Sequence, residues 1–430
     1  MKRIFSLIFV FISLALISEE RASYDLLVDK EFSPLMGGED LISIHKTLQS
    51  LEDWLIPQRN LPPETGFKKL GRWVELAFFW EPLNLLMTTV QHEIFGHGYR
   101  IRTLSKSHAK VEGYSIHLPY DYFGEGVAGA TELKLGNKAT LSDLITIDIA
   151  GIEAEEILAK RLKLKWLVSN RLDAREASLY LYTQQGLLLY ALSSPKKELK
   201  LTLMDNTDDE SFFANDLHSY VRSLNTAYPD DQISFKKIKH QSYFNLIDPF
   251  TLYAICSPWY YIFTGKQFRF PMIPLGGEVF YLPGYRVSLA PYGLEKNIDH
   301  LFKIKERPLY LYTKWGQHAG NHYWGGGIDY DQCLSWFGGR LGFRIDVWKQ
   351  PRFYEPIRMT DLLQKNIAKN FPELSKKGYG GSASLIARWS LGEKAPMTLY
   401  TEMGYKSKGY LPGYPVNNGS IMRLGISSTF

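Results

Sequence analysis

Three residues whose side chains bind metals or move protons lie within one short segment. His92, Glu93 and His97 belong to segment 91–98, which reads QHEIFGHG and follows a strongly apolar stretch. Imidazole nitrogens are common zinc ligands, and a neighbouring carboxylate can bind the metal or act as a general base. Charged groups that enter a fold interior need a partner or a metal. The segment therefore predicts a metal site, against the competing interpretation that these side chains only pack at a helix terminus.

The spacing of His92 and His97 decides whether they can share one ion. On a regular helix, five steps of about 100° place the two side chains about 140° apart, which is poor for joint coordination. A π-bulge adds one residue to a helical turn and would bring them together, and Gly96 offers a place for it. Alternatively, Glu93 and His97, four residues apart, are the ligands on the helix face and His92 has another role.

The segment resembles the His-Glu-x-x-His helix of the zincin-like zinc metallopeptidases, with one additional residue before the second histidine. In that family two histidines hold zinc and the glutamate activates a water molecule. The resemblance implies that His92 and His97 bind zinc and that Glu93 is the catalytic base, which passes a proton to the leaving amine. In the glutamate-type members, a glutamate on a later helix supplies the third ligand. The third histidine of the metzincin pattern is absent.

Glu153 is the best candidate for this third ligand. It lies downstream on a predicted apolar helix, where Gly151 would permit a close approach of the two helices. Glu155 and Glu156 follow it, so the competing interpretation is a solvated acidic helix face.

Other polar residues offer weaker alternatives. Those on the intervening segment are His108, Glu112 and His117. A later group could instead orient the ligands through hydrogen bonds, and it consists of Asn215, Asp216 and His218.

Apolar residues repeat with helical spacing between residue 24 and about residue 265, the region that must position this segment. The stretch 246–263 is strongly apolar but contains two prolines, so we expect a buried helix there and not a membrane span. Further helices are predicted at 73–104, 141–167, 173–192 and 212–224.

From about residue 275 the apolar residues alternate with polar ones, as in half-buried strands. About eight candidate strands are present, at 279–282, 285–289, 309–315, 323–330, 341–347, 383–391, 397–406 and 422–430. The predicted fold class is α+β: a mainly helical metal-site domain over 24–270, then an antiparallel β-domain over 271–430 that forms an eight-stranded barrel.

Charges on the polar side of these strands favour a barrel in a membrane. Arg344, Glu402 and Arg423 are among them. A small barrel would pair such charges inside and present apolar side chains to lipid. A soluble antiparallel sheet, with its apolar side on a core, would alternate in the same way.

The C-terminus adds a second indication. The chain ends on Phe430, with Ile426, Leu424 and Met422 on the same side of the last strand. These residues resemble the C-terminal assembly signal of bacterial outer-membrane barrel proteins. The resemblance implies residence in an outer membrane, with the lipid bilayer as a partner.

The N-terminus predicts export. Lys2 and Arg3 precede an apolar run over 4–17, the pattern of a secretory signal peptide, which we place at 1–23. The competing interpretation is an uncleaved N-terminal anchor.

Composition excludes several classes of protein. Of 430 residues, 45% are apolar and 22% charged, which excludes wholesale disorder and fibrous folds. The net charge of +5 comes without a long basic run, so nucleic-acid binding is not expected. Cys256 and Cys333 cannot form a disulfide framework, although one bridge could form in an oxidising compartment.

The sequence thus predicts an exported, membrane-associated zinc-dependent hydrolase, most consistent with a metallopeptidase that cleaves a peptide or protein. Its helical domain would be periplasmic and its strands would lie in a bacterial outer membrane. The alternative is a non-enzymatic envelope β-barrel protein with a structural His/Glu cluster.

Overall fold

The structure is a computed structural model that describes residues 23–60, 64–117, 128–193, 215–336, 338–352, 377–392 and 397–429. The predicted signal peptide, apart from Ser23, and the terminal Phe430 lie outside these residues.

Helices make up most of the region before residue 265. Two five-residue π-helical turns interrupt one long helical stretch, at Leu76–Trp80 and Glu93–His97. The α-helices are α1 (Pro34–Leu55), α2 (Gly66–Glu75), α3 (Glu81–His92), α4 (Gly98–Arg102), α5 (Leu141–Asp148), α6 (Ala150–Ser169), α7 (Ala177–Gln184), α8 (Gly186–Ser193), α9 (Asp216–Ala227), α10 (Phe235–Ser242) and α11 (Pro249–Thr264). Within the described residues, no helix has the length and apolar content that a membrane crossing would need.

Strands form one large sheet and one small hairpin. The strands are β1 (Ser23–Asp29), β2 (Ala109–Ile116), β3 (Gly129–Leu135), β4 (Ile273–Gly276), β5 (Val279–Ala290), β6 (Gly293–Ile304), β7 (Arg307–His318), β8 (Asn321–Trp336), β9 (Gly339–Pro351), β10 (Lys377–Ser390), β11 (Met397–Lys406) and β12 (Gly419–Thr429). Among the described residues, β2 and β3 pair with each other alone, and the other ten strands form an antiparallel sheet in which β4 to β12 follow chain order and β1 joins beyond β12.

The sheet differs from the predicted eight-stranded barrel. It has ten strands, and among the described residues β1 and β4 are its two ends and do not pair with each other. The predicted strands 279–282 and 285–289 form one strand, β5, because Pro283 and Gly284 between them also pair with residues of β6. β6 was not predicted, because Lys296 and His300 interrupt the apolar side of its alternation. The order of a helical region followed by an antiparallel sheet is confirmed.

Helix α6 lies at the centre of the molecule. It contacts α1, α3 and α7 on one side and strands β5 to β7 on the other. Because both sides are covered, apolar Leu158 and charged Lys163 are both buried. One apolar core joins Leu158 to residues of α11 and of the sheet, Phe250 and Tyr310 among them. Helices and strands therefore share a core.

The inner face of the sheet is charged and its ion pairs are buried. Nη1 of Arg344 and Nη1 of Arg423 both donate to Oε2 of Glu402, at 2.9 and 3.0 Å. Arg388 joins Asp25 of β1 to Asp331 of β8. Buried charges require such partners, because desolvation of an unpaired charge is costly.

The outer face of the sheet is apolar and exposed. Leu385, Met403 and Met422 are successive cross-strand neighbours on β10, β11 and β12. Leu385 is 70% exposed and Met422 60% exposed. A sheet that faces water normally has the opposite distribution, with apolar residues inside and charged residues outside.

Candidate metal centre

A π-helical turn places the two histidines on one side of the helix. The turn Glu93–His97 follows α3, which ends at His92. The Nε2 atoms of His92 and His97 are 3.1 Å apart. The predicted π-bulge is confirmed, because the extra residue in this turn compensates for the five-residue spacing.

Two glycines allow this turn to lie directly against the start of α6. A Cβ atom on Gly96 would lie 2.7 Å from the carbonyl oxygen of Ala150. A Cβ atom on Gly151 would lie 2.2 Å from Nε2 of His92. Neither distance is compatible with a side chain, so the close approach predicted at Gly151 is present.

Asp216 is the third member of the group. It is the first residue of α9, which Asn215 caps through its side chain. Oδ2 of Asp216 is 2.8 Å from Nε2 of His92 and 3.1 Å from Nε2 of His97. These three ligand atoms converge on one point, and the group could hold a metal ion.

Each histidine is oriented by a hydrogen bond on its far nitrogen. Nδ1 of His92 lies 2.8 Å from Oε1 of Glu155, and Nδ1 of His97 lies 2.7 Å from the carbonyl oxygen of Ile147. When Nδ1 donates to these oxygens, Nε2 is the nitrogen that carries the lone pair. Metal-binding histidines in proteins are commonly fixed in this way.

The electrostatics of the group follow from burial and close pairing. Burial opposes a charge on His92, but Glu155 and Asp216 outweigh it and raise the pKa of His92 well above its usual value. Burial alone would raise the pKa of Asp216, yet His97 and His92 hold it well below its usual range. The imidazoles therefore share protons with carboxylates in positions that a cation would fill.

The group opens into a cavity of about 700 Å³ that Glu93 also lines. Oε2 of Glu93 accepts a hydrogen bond of 2.7 Å from Oγ1 of Thr131 on β3. The hydroxyl of Tyr190 lies 3.0 Å from Nε2 of His92, and its ring stacks on that imidazole. The cavity thus combines three ligand atoms, a carboxylate and a phenol.

The structure does not bring Glu153, the predicted third ligand, to this group. Its carboxylate accepts two hydrogen bonds from Nη2 of Arg100, at 2.9 and 3.0 Å, and one of 2.8 Å from the Tyr410 hydroxyl. Glu153 and Glu155 are two residues apart, about 200° around α6, so they point to opposite sides of the helix. Glu155 contacts the histidines, and Asp216 takes the position predicted for Glu153.

The other sequence candidates lie elsewhere. Nδ1 of His108 is 2.7 Å from Oδ2 of Asp143, and His117 contacts Ser115. Glu112 is exposed on β2. His218 packs edge-on against Phe235, whereas Asn215 serves as the helix cap.

The sequence indicated Asp216 as a residue that could support the ligands and not as a ligand, and it indicated no contact of Glu155 with the histidines. The available signal for Asp216 was its position at a helix start, where the helix dipole favours a carboxylate. No family model, curated protein or solved structure matches this chain.

Proposed function

We propose that this protein is an exported, membrane-associated zinc-dependent hydrolase, most consistent with a metallopeptidase. The observation that carries the proposal is the convergence of His92, His97 and Asp216, with both imidazoles oriented through Nδ1.

The donor set suits zinc. Two imidazole nitrogens and one carboxylate oxygen are a common ligand set of catalytic zinc, which keeps one further position for water or substrate. Tetrahedral ligands at about 2.0–2.1 Å from zinc lie about 3.3 Å from one another. The three atoms here are 2.8 to 3.1 Å apart, so a small adjustment would admit the ion. Bound zinc would supply Lewis-acid activation of a water molecule and of a substrate carbonyl.

Glu93 is the proposed general base. It is buried in the wall of the same cavity, and Thr131 holds one of its carboxylate oxygens. Such a carboxylate can take a proton from the attacking water and deliver it to the leaving group.

Tyr190 is the proposed hydrogen-bond donor to the developing oxyanion. Burial and the neighbouring carboxylates of Asp216 and Glu155 raise the pKa of Tyr190 well above its usual value. The phenol therefore keeps its proton at neutral pH and can donate a hydrogen bond to the oxygen on which negative charge forms.

Strand β3 supports a peptide as the substrate. It crosses the π-helical turn so closely that a Cβ on Gly129 would lie 3.0 Å from Cγ of Glu93. In the described part of the chain, β3 pairs with β2 along one edge only. Residues 128–131 line the cavity, so an extended peptide could pair with the other edge.

The sheet supports membrane attachment. Its outer face is apolar and its inner face holds buried ion pairs, the distribution that suits a hydrocarbon surrounding. With the predicted signal peptide and C-terminal motif, we propose residence in a bacterial outer membrane.

One observation favours the alternative, a non-enzymatic envelope protein with a structural cluster. His92 contacts both Glu155 and Asp216. A protonated imidazole between two carboxylates is a satisfied arrangement that needs no metal.

Metal analysis combined with hydrolysis separates the two functions. Purified wild-type protein should contain about one zinc per chain and cleave a fluorescent casein probe. Glu93→Gln should retain zinc but lose on the order of 10²-fold or more in rate. Asp216→Asn should lose both zinc and activity, whereas Asp230→Asn, an exposed control on the surface, should lose neither. A stable protein that binds no added zinc would support the structural alternative.

A further inference from the structure

Two helices outside the sheet carry apolar stripes that face outward. On α2, Phe67, Leu70 and Val74 are exposed, and Phe67 is 84% exposed. Their spacing of three and four residues places them on one side of the helix. The opposite side is polar and enclosed: Arg72 is buried and pairs with Glu64. A helix on a water-facing surface has the reverse arrangement.

Helix α11 repeats the pattern. Leu252, Ile255, Trp259 and Phe263 are exposed and follow one another at helical spacing, and Trp259 is 60% exposed. The 16 residues of this helix include no Asp, Glu, Lys or Arg. The sequence predicted a buried helix here, and the structure buries only one side of it, including Phe250 and Ser257.

The two stripes form one surface that continues onto the sheet. α2 and α11 pack together, with Nζ of Lys69 5.7 Å from the centre of the Phe263 ring. α11 also contacts β5. The chain then enters β4, the end strand of the sheet, where Ile273 and Leu275 are exposed.

We propose that α2 and α11 lie in the same hydrocarbon layer as the outer face of the sheet. This inference rests on the membrane attachment proposed above and extends it to the unit that carries the histidines. Acyl chains are the occupant that the surface fits, because large apolar side chains are exposed on the strands and on both helices, while charged residues such as Arg72 and Arg344 are buried. At 16 residues, α11 is too short to cross a bilayer and would lie within one leaflet or along its boundary.

Cys256 provides a native probe of this surface. It is a free, exposed cysteine on α11, four residues after Leu252 and three before Trp259, and so lies on the outward stripe. Cys333 is also free and would be replaced by serine. A nitroxide label on Cys256 can then be studied in full-length protein reconstituted into vesicles of phosphatidylethanolamine and phosphatidylglycerol.

The measurement compares collisions with oxygen, which concentrates in hydrocarbon, and with a water-soluble nickel chelate. Two single-cysteine references are made in a background without Cys256 and Cys333: Leu385→Cys on the outer face of the sheet, and Lys134→Cys on the exposed hairpin strand β3. We expect the label on Cys256 to match Leu385→Cys, with several-fold more oxygen and several-fold less nickel contact than Lys134→Cys.

Two outcomes would overturn the inference. If the label on Cys256 collides with the nickel chelate as often as the label on Lys134→Cys, while the label on Leu385→Cys does not, the helices lie in water although the sheet is in the membrane. If Cys256 meets neither reagent and the protein sediments as a dimer, a second copy covers the stripe. If Leu385→Cys itself meets nickel freely, the membrane attachment proposed for the sheet fails, which is a different result.

Discussion

Gly151 and His92 approach so closely that no side chain fits between them: a Cβ at position 151 would lie 2.2 Å from Nε2 of His92. The His92 ring can keep its orientation only because residue 151, on the facing helix, is a glycine without a side chain.

Gly151→Ala should weaken zinc binding at least about tenfold, because the added methyl group must displace the His92 ring from its place between Glu155 and Asp216. Gly38→Ala is a matched control, since its Cβ would find its nearest atom, Cα of Leu158, at an ordinary 3.5 Å. Both changes favour a helix, so the folded state should persist. Competition with a chromophoric chelator measures the affinity; equal affinities in the two variants would contradict the proposed role of Gly151.

Glu155→Gln should lower zinc affinity about 10- to 100-fold. The carboxylate that accepts a hydrogen bond from Nδ1 of His92 becomes a neutral amide, which weakens the basicity of the ligand and its orientation. Glu156→Gln is the neighbouring control, because Glu156 points to the sheet and pairs with Arg286. Calorimetric titration with zinc measures the affinity of both variants. A loss of affinity in Glu156→Gln alone would contradict the orienting role of Glu155.

Tyr190→Phe should reduce kcat by on the order of 10²-fold with little change in KM, because the hydroxyl acts where negative charge develops and not in binding the ground state. Tyr182→Phe removes a hydroxyl from the same cavity but one that binds Glu81, and it should leave kcat near the wild-type value. The comparison requires steady-state rates on one peptide substrate at several concentrations. A change confined to KM would show that Tyr190 binds substrate only.

Asp40 should make stability depend on pH. Burial, together with the nearby Glu39, Asp29 and Asp25, raises the pKa of Asp40 to about 8, far above its usual 3.8. The folded chain therefore holds a proton that the unfolded chain has released between about pH 4 and pH 8, and folding stability falls as pH rises through that window, by up to about 1.4 kcal/mol per pH unit from this group.

Asp40→Asn should remove this dependence while it keeps an acceptor for the amide of Leu27, which now donates to Oδ1 at 2.7 Å. The variant should match the wild type near pH 4 and unfold at a higher temperature near pH 8. Thermal unfolding in detergent at both pH values measures the difference. A shift of equal size at pH 4 and pH 8 would contradict the assignment.

Local patterns revealed a large part of this molecule. The apolar stretch before His92, the five-residue spacing and Gly96 indicated a π-bulge that brings both histidines to one side, as one of two arrangements, and the structure contains it. Alternation of residues predicted the strands from β7 to β12 and the inward charges. These features depend on residues that are close to one another in the sequence.

Features that depend on packing were not predicted. Asp216 reaches the histidines from α9, 119 residues after His97, and no local pattern encodes that meeting. The contact of Glu155 with His92 was not predicted, because a cluster of three glutamates is also typical of a solvated helix face. Helix α6 is enclosed on nearly all sides, and Glu155 is buried against the imidazole. Strand β6 carries Lys296 and His300 on its outer face, between apolar residues, and these two residues hide its alternation.

The ladder between β1 and β12 has a consequence for how the chain folds. It joins Ser23 to Thr429 and Asp29 to Arg423, so its partners are separated by about 400 positions. Contacts of such high sequence separation bear a large loop-closure entropy and form slowly. In the part of the chain that the structure describes, every other ladder of the large sheet joins successive strands. We therefore expect β4 to β12 to assemble first as a meander, with β1 docking in the rate-limiting step, and until then β12 presents an unpaired edge that can recruit another chain.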